Sequence, residues 1–364
     1  MLRRLVPLLL LLFTATPALA GQDETYSGVV GSAPIVMELT PGTDEVTGQY
    51  FYRSTRFDID LSGQWRGQAL ELTSSLTGDH LSLTRAGGGL AGALTTAKGR
   101  RLAVSLQPAG EPSPPPAPAD LPPKLSLYAR LQLSGLTLIP QGPETLNGKT
   151  IRWYRNGLTG IRLFRLESGY AAPAMAAMNQ ALARNQWAEV SAWLQCPGSG
   201  GGPGMDSSEA DRPWLGPAHV SYIWRSSWSC AGTAHPDFGA DGHSFDARTG
   251  RELTLDEVLP ENGGRPIPPA DSDAWLDYRS KVFAPAVVAL LKRHHQAEMT
   301  PPKSGDDDDC DYADPDVWDF PSWALTDKGL WLGAVFARVM RPCDSPDWAV
   351  IPWSALPSQG RAAR

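Results

Sequence analysis

The chain's 364 residues carry 39 acidic and 32 basic side chains, a formal net charge of −7 with histidine neutral. That acidic balance argues against nucleic acid as a partner, because the phosphate backbone is gripped by clustered Lys and Arg. At ~150 residues per domain the length suggests two domains, each long enough to bury a core.

Residues 1–20 read as a cleavable secretory signal: Arg3 and Arg4, an apolar run from Leu5 to Phe13, and the small-residue exit Ala18-Leu19-Ala20. Cleavage after Ala20 is expected. The apolar run is too short to span a bilayer, and no later segment offers the ~20 apolar residues a transmembrane helix requires. The expected mature protein is soluble, periplasmic or secreted, and does not insert into a membrane.

Residues 21–108 hold short alternating segments, among them Ile35 to Leu39, Gly48 to Tyr52, Leu70 to Leu72, Leu81 to Leu83 and Leu102 to Leu106. Strands at ~8–12-residue spacing predict an antiparallel meander that closes into a small barrel or folds into a sandwich. Residues 109–123 follow as a proline-rich linker, whose prolines lack amide hydrogens and favour extended chain.

From 124 to 358 the pattern predicts an α+β domain with an antiparallel sheet and two main helices, and 359–364 a disordered tail. One helix opens at Pro173 and ends by Cys196, with Met178, Leu182 and Val190 near one face. Val220 to Trp228 reads as a central strand. The second helix runs roughly from Asp273 to His294, with Pro285 as a point of kinking. Near the end, Asp327-Lys328-Gly329 joins two apolar runs as a hairpin connection. All of the thirteen tryptophans except Trp65 follow the linker.

The four cysteines, Cys196, Cys230, Cys310 and Cys343, are too far apart for a Cys-x-x-Cys metal or redox motif. In an oxidising compartment they read as two disulfides. Three pairings are open, of which Cys196 with Cys230 and Cys310 with Cys343 close the shortest separate loops.

Gly87-x-Gly89-x-x-Gly92 matches a dinucleotide fingerprint by letter but lies between strands, so a hairpin turn is the better reading. The densest polar cluster is His235, Asp237, Asp241, His243 and Asp246, residue types that supply metal ligands or an acid–base pair. Its spacing matches no ligand signature, and the preferred reading is structural, with no metal and no cofactor. The second charged feature is Asp306, Asp307, Asp308, Asp309 and Asp311 around Cys310, continuing to Asp314, Asp316 and Asp319 with no basic residue between. Such a run reads as a hydrated loop or as a contact for a cationic partner.

Ala231-Gly232-Thr233-Ala234-His235-Pro236, then Phe245-Asp246-Ala247-Arg248-Thr249-Gly250-Arg251-Glu252-Leu253 and the entry to a Leu-rich helix, resembles an extracytoplasmic bacterial domain of undefined function. That domain occurs in the ectodomain of the lysozyme-sensing anti-sigma factor and, as a non-catalytic part, in some peptidoglycan deacetylases. The similarity covers most of 124–358, with Thr233 in place of a glycine and Arg251 in place of a lysine. The deacetylase motifs Thr-Phe-Asp-Asp and His-x-x-x-His are absent, so deacetylation is not implied.

The expected function is therefore that of an exported cell-envelope binding protein without its own catalysis, its partner being lysozyme, another cationic protein or peptidoglycan. The acidic residues Asp306 to Asp309 and Asp311 are the expected contacts. The alternative is a periplasmic hydrolase or metal-dependent enzyme built on His235, Asp237, His243 and Asp246.

Overall fold

A computed structural model describes residues 23–112, 121–122, 124–302 and 310–356. The signal segment, most of the proline linker, Asp306 to Asp309 and the expected tail lie outside the described residues. The chain divides into two units, Met1–Ser54 with Ile59–Ala109, and Thr55–Asp58 with Gly110–Arg364.

The first unit is the expected meander closed on itself. Eight strands, β1 (Glu24–Val30), β2 (Ala33–Pro41), β3 (Val46–Tyr52), β4 (Ile59–Arg66), β5 (Ala69–Thr73), β6 (His80–Ala86), β7 (Gly89–Thr95) and β8 (Arg101–Pro108), form an antiparallel barrel. Closure comes from β8 pairing with β1, Gly28 opposite Leu106. Alternation places Ile35, Met37, Tyr50, Leu72, Leu81 and Leu94 in a fully buried interior, as a barrel of eight strands allows. Several interior positions must be glycine: a Cβ on Gly28 would lie 2.0 Å from the Ser105 carbonyl oxygen, and one on Gly63 1.9 Å from that of Glu71. The nucleotide-like glycines resolve as a turn, with Gly87 and Gly88 at φ 58° and 84° between β6 and β7.

The second unit is α+β, with its strands distributed over three antiparallel sheets. Helix α1 (Leu127–Leu133) starts at Ser126, whose hydroxyl accepts from the Ala129 amide at 3.2 Å. Strands β9 (Leu138–Leu146), β10 (Lys149–Asn156) and β11 (Arg162–Leu166) make the first sheet, β9 and β10 joined by the Asn147-Gly148 turn. Helix α2 (Ala172–Leu194) opens with Pro173 in its first turn, as expected, and buries Met178, Leu182, Val190 and Leu194.

The second sheet contains β12 (Met205–Ala210), β13 (Trp214–Leu215), β14 (His219–Trp228) and β15 (Asp237–Asp246), with β14 central. One face of it, Val220, Tyr222, Trp224 and Phe245, shares a core with α2. The opposite face carries Ser221 and Ser244, which bracket Leu325 of the third sheet: Ser221 donates to the Leu325 carbonyl, and the Leu325 amide donates to Ser244 Oγ at 3.0 Å.

After the capping-box helix α3 (Leu255–Val258) come α4 (Asp273–Tyr278) and α5 (Ala284–His294). The long helix expected over Asp273 to His294 is thus interrupted. A π-helical turn, Arg279–Phe283, separates its halves, and the Ala284 amide reaches back to the Arg279 carbonyl. The buried Arg279 pairs with Asp256 at 3.0 Å and donates to the Asp319 carbonyl at 2.7 Å. The third sheet, β16 (Ser322–Leu325), β17 (Gly329–Gly333) and β18 (Val350–Pro352), contains the predicted hairpin, and α5 packs on it through Val287 and Leu291.

Disulfides join Cys196 to Cys230 and Cys310 to Cys343. The first ties the end of α2 to the loop after β14. The two bridges fit an exported protein, since such bonds persist in oxidising compartments. No described helix is long and apolar enough to cross a membrane.

Candidate functional site

The edge of β14 opposite β15 is paired by two strands with a break between them. Ala210 of β12 pairs with Trp224 and Trp214 of β13 with Ser221, so Asp211, Arg212 and Pro213 leave the ladder. Pro213 has no amide to offer it, and the Asp211 amide holds the Ile223 carbonyl at 2.8 Å.

Two hairpin turns flank this break: Asn147 of the first sheet, at φ 50°, and Thr326-Asp327 between β16 and β17. Together the three segments enclose a groove of about 450 Å3 whose lining includes Asn147, Asp211, Arg212, Trp214, Thr326 and Asp327. Its size falls within the ~300–1,000 Å3 of small-ligand pockets.

The groove's aromatic wall is fixed from behind. Trp214 lies 5.4 Å from Trp353, which stacks on His219 with 2° between the ring planes. Trp353 is itself anchored, its indole nitrogen donating to the Thr326 carbonyl at 3.1 Å. Burial holds the His219 imidazole below its usual pKa, so at neutral pH it is an uncharged ring in this stack. Asp211 accepts from Arg225 Nε at 2.9 Å, and Arg212 reaches Glu144 at 3.4 Å. Asp327 is exposed at its turn.

The polar cluster singled out in the sequence does not converge. His235 is exposed in the loop before β15, and Asp237 opens that strand bound to Arg341 Nε at 3.0 Å. That hydrogen bond holds the Asp237 carboxyl below its usual range. His243 lies ~20 Å further along, at ~3.4 Å per residue of strand. Asp246, of opposite parity to His243, points to the other face. It accepts from the Arg248 and Thr249 amides at 2.8 and 2.9 Å. Burial opposes its ionisation, but those hydrogen bonds outweigh it and lower its pKa. An acid–base or metal site made of these four residues is therefore not assembled, because extended backbone separates what sequence proximity suggested. Among the described residues no group of three His, Cys, Asp or Glu side chains is placed to hold a metal ion.

His243 instead belongs to a cluster whose other members come from distant segments. It stacks on its cross-strand neighbour Tyr222 with ring centroids 4.8 Å apart, and Nδ1 lies 2.7 Å from Glu252 Oε1. Asn185 Nδ2 lies 3.2 Å from the same nitrogen. One nitrogen cannot donate to Glu252 and accept from Asn185, and the carboxylate is the stronger partner, so Nδ1 carries the proton.

One helical turn on from Asn185, Glu189 accepts from Ser208 Oγ at 3.4 Å, and Trp224 Nε1 donates to that oxygen at 3.0 Å. Burial, followed by the nearby Asp241 charge, raises the Glu189 carboxyl to about 7. Sequence reasoning named Asp241 and His243 but missed Asn185, Glu189 and Glu252. The only available signal was the four-residue spacing of Asn185 and Glu189 on α2.

Of the acidic run, Asp311 and Asp314 serve local structure. Asp311 accepts from the Ala313 amide at 2.9 Å and Asp314 from the Asp316 amide at 3.0 Å. Asp306 to Asp309 lie outside the described residues.

Fold and groove together define a two-unit, disulfide-bridged, β-rich protein with a preformed concave site on its α+β unit. No protein-family model matches the chain, and neither a curated protein nor a solved structure matches it.

Proposed function

We propose that the chain is an exported binding protein of the cell envelope, periplasmic or secreted, and that the groove beside β14 receives a basic segment of a partner protein, lysozyme being the first to try. The observation that carries this reading is the juxtaposition of the braced Trp214 ring with the carboxylates of Asp211 and Asp327 around one concavity. An indole face takes the apolar stem of a Lys or Arg side chain, and the carboxylates take its charge. The net charge of −7 favours the same partners through long-range attraction. The similarity to the lysozyme-sensing ectodomain points in the same direction. Peptidoglycan is the second reading, favoured by Trp214, since a sugar ring stacks on an indole face.

The test is a binding titration of lysozyme and of soluble peptidoglycan fragments against the parent protein and the Asp327→Asn, Asn147→Gly double variant, glycine suiting the φ of 50° at position 147. Both positions are exposed turn residues, so folding is preserved. Weakening by about tenfold is expected, equivalent to about 1.4 kcal/mol. Equal affinity of parent and variant for both ligands would reject the groove as the site.

A further inference from the structure

The barrel carries a second concavity, at the end where β1, β3, β5 and β7 begin and β2, β4 and β6 finish. Inward-facing positions elsewhere in the barrel are almost all apolar, glycine or tyrosine, but at this mouth three are not of that kind: Glu24 on β1, Trp65, a large exposed indole, on β4 and Arg85 on β6. Each keeps the parity of its strand's buried residues, namely Tyr26 for Glu24, Leu61 for Trp65, and Leu81 and Leu83 for Arg85. They stand over a cavity of about 470 Å3 whose floor includes Leu39, Val46, Leu70 and Leu90.

The three side chains are arranged around a cation. The Arg85 guanidinium lies 5.1 Å above the Trp65 ring, and its Nη2 is 3.8 Å from Glu24 Oε1. Glu24 is held in place from inside the barrel, because the phenol of the buried Tyr26 donates to its Oε2 at 2.5 Å. Arg85 is held loosely by comparison: its side chain is 62% exposed and its contact with Glu24 is longer than a hydrogen bond. This largely exposed arginine thus rests where an aromatic face and an anchored carboxylate meet, above a space floored by leucine and valine.

We propose that the mouth of the barrel is a binding site for a small organic cation bearing an apolar arm, an alkyl- or arylammonium. The head group displaces Arg85 from Trp65 and pairs with Glu24, and the arm enters the leucine-lined floor. Stacking on indole suits a weakly hydrated cation, and an eight-stranded barrel has room for one small ligand at its end. This site lies in the first unit and does not depend on the reading of the groove in the second.

The experiment is calorimetric titration of the full mature protein with benzyltrimethylammonium, with tetramethylammonium as the armless control and phenylacetate as the anionic one. One-to-one binding of the aryl cation is expected, about tenfold tighter than tetramethylammonium, with no heat from phenylacetate. Trp65→Ala and Glu24→Gln should each weaken binding about tenfold, whereas Trp65→Phe, which keeps a ring, should stay within about threefold. Arg85→Ala should tighten it, since the competing internal cation is gone. Asp327→Asn in the other unit should change nothing. Absence of binding, indifference to Trp65→Ala, loss of affinity in Arg85→Ala, or preference for phenylacetate would each overturn the proposal.

Discussion

Replacing Glu189 by glutamine should stabilise the protein at mildly alkaline pH and do nothing at acid pH. Burial between α2 and the second sheet, with Asp241 nearby, raises this carboxyl from 4.5 to about 7, against a smaller opposing pull from Ser208 and His243. A folded-state pKa above the unfolded one means that the native protein binds the proton more tightly. The resulting stabilisation is complete below about pH 4.5, erodes between there and about pH 7, and is gone above it. At about 1.4 kcal/mol per tenfold change in proton affinity, the full effect is about 3 kcal/mol. Glu189 is partly exposed, and solvent screening reduces this to about 2 kcal/mol. Glutamine keeps the shape of the protonated acid and never carries the charge. Urea unfolding of parent and Glu189→Gln at about pH 4, 6 and 8 should therefore show curves that coincide at the lowest pH and separate by about 2 kcal/mol at the highest. A gap that does not depend on pH, or a parent that gains on the variant as pH rises, would refute the reasoning.

Removing the Cys310–Cys343 bridge by double serine substitution should cost about 2–5 kcal/mol, because it also loosens Tyr312, whose hydroxyl donates to the Cys343 carbonyl at 2.8 Å; an unchanged melting temperature would contradict this. Gly242→Ala should destabilise by about 3 kcal/mol, since its Cβ would stand 1.8 Å from the Trp323 carbonyl oxygen, where β15 and β16 cross. Chemical denaturation measures that cost, and a neutral result would mean the crossing is looser than described. Changing Asp306 to Asp309 together to asparagine should slow association with lysozyme and flatten its salt dependence while leaving dissociation and melting temperature alone, because four carboxylates are lost and charge attraction, screened over ~8 Å at physiological ionic strength, acts mainly on encounter. Identical association rates in parent and variant would remove the run from the binding account.

Much of the architecture was legible because it rests on local rules. Alternating apolar residues at short spacing gave away the barrel strands, Pro173 marked the start of α2, and the shortest-loop argument found both disulfides. The interruption of the second helix was legible in part: Pro285, read as a point of kinking, stands in the first turn of α5 directly after the π turn, but the π turn itself was not foreseen. Its π turn sits at Arg279, whose buried charge is met by Asp256, distant in sequence.

The candidate sites were less legible still. Neighbours in sequence from His235 to Asp246 are spread along a strand, while the groove is assembled from a strand break and the tips of two hairpins in different sheets. The barrel mouth was hidden for another reason. Glu24, Trp65 and Arg85 break the inward aliphatic pattern only at strand ends, where polar residues are ordinary and strand parity must be known before the departure shows.

Hydrogen exchange of the mature protein, free and saturated with lysozyme, tests the central claim most directly. Binding in the groove predicts slowed exchange at the backbone amides of Thr145 to Asn147, Asp211 and Arg212, and Leu325 to Asp327, the three segments that converge there. Protection confined to other surfaces, or no protection under saturating lysozyme, would contradict it.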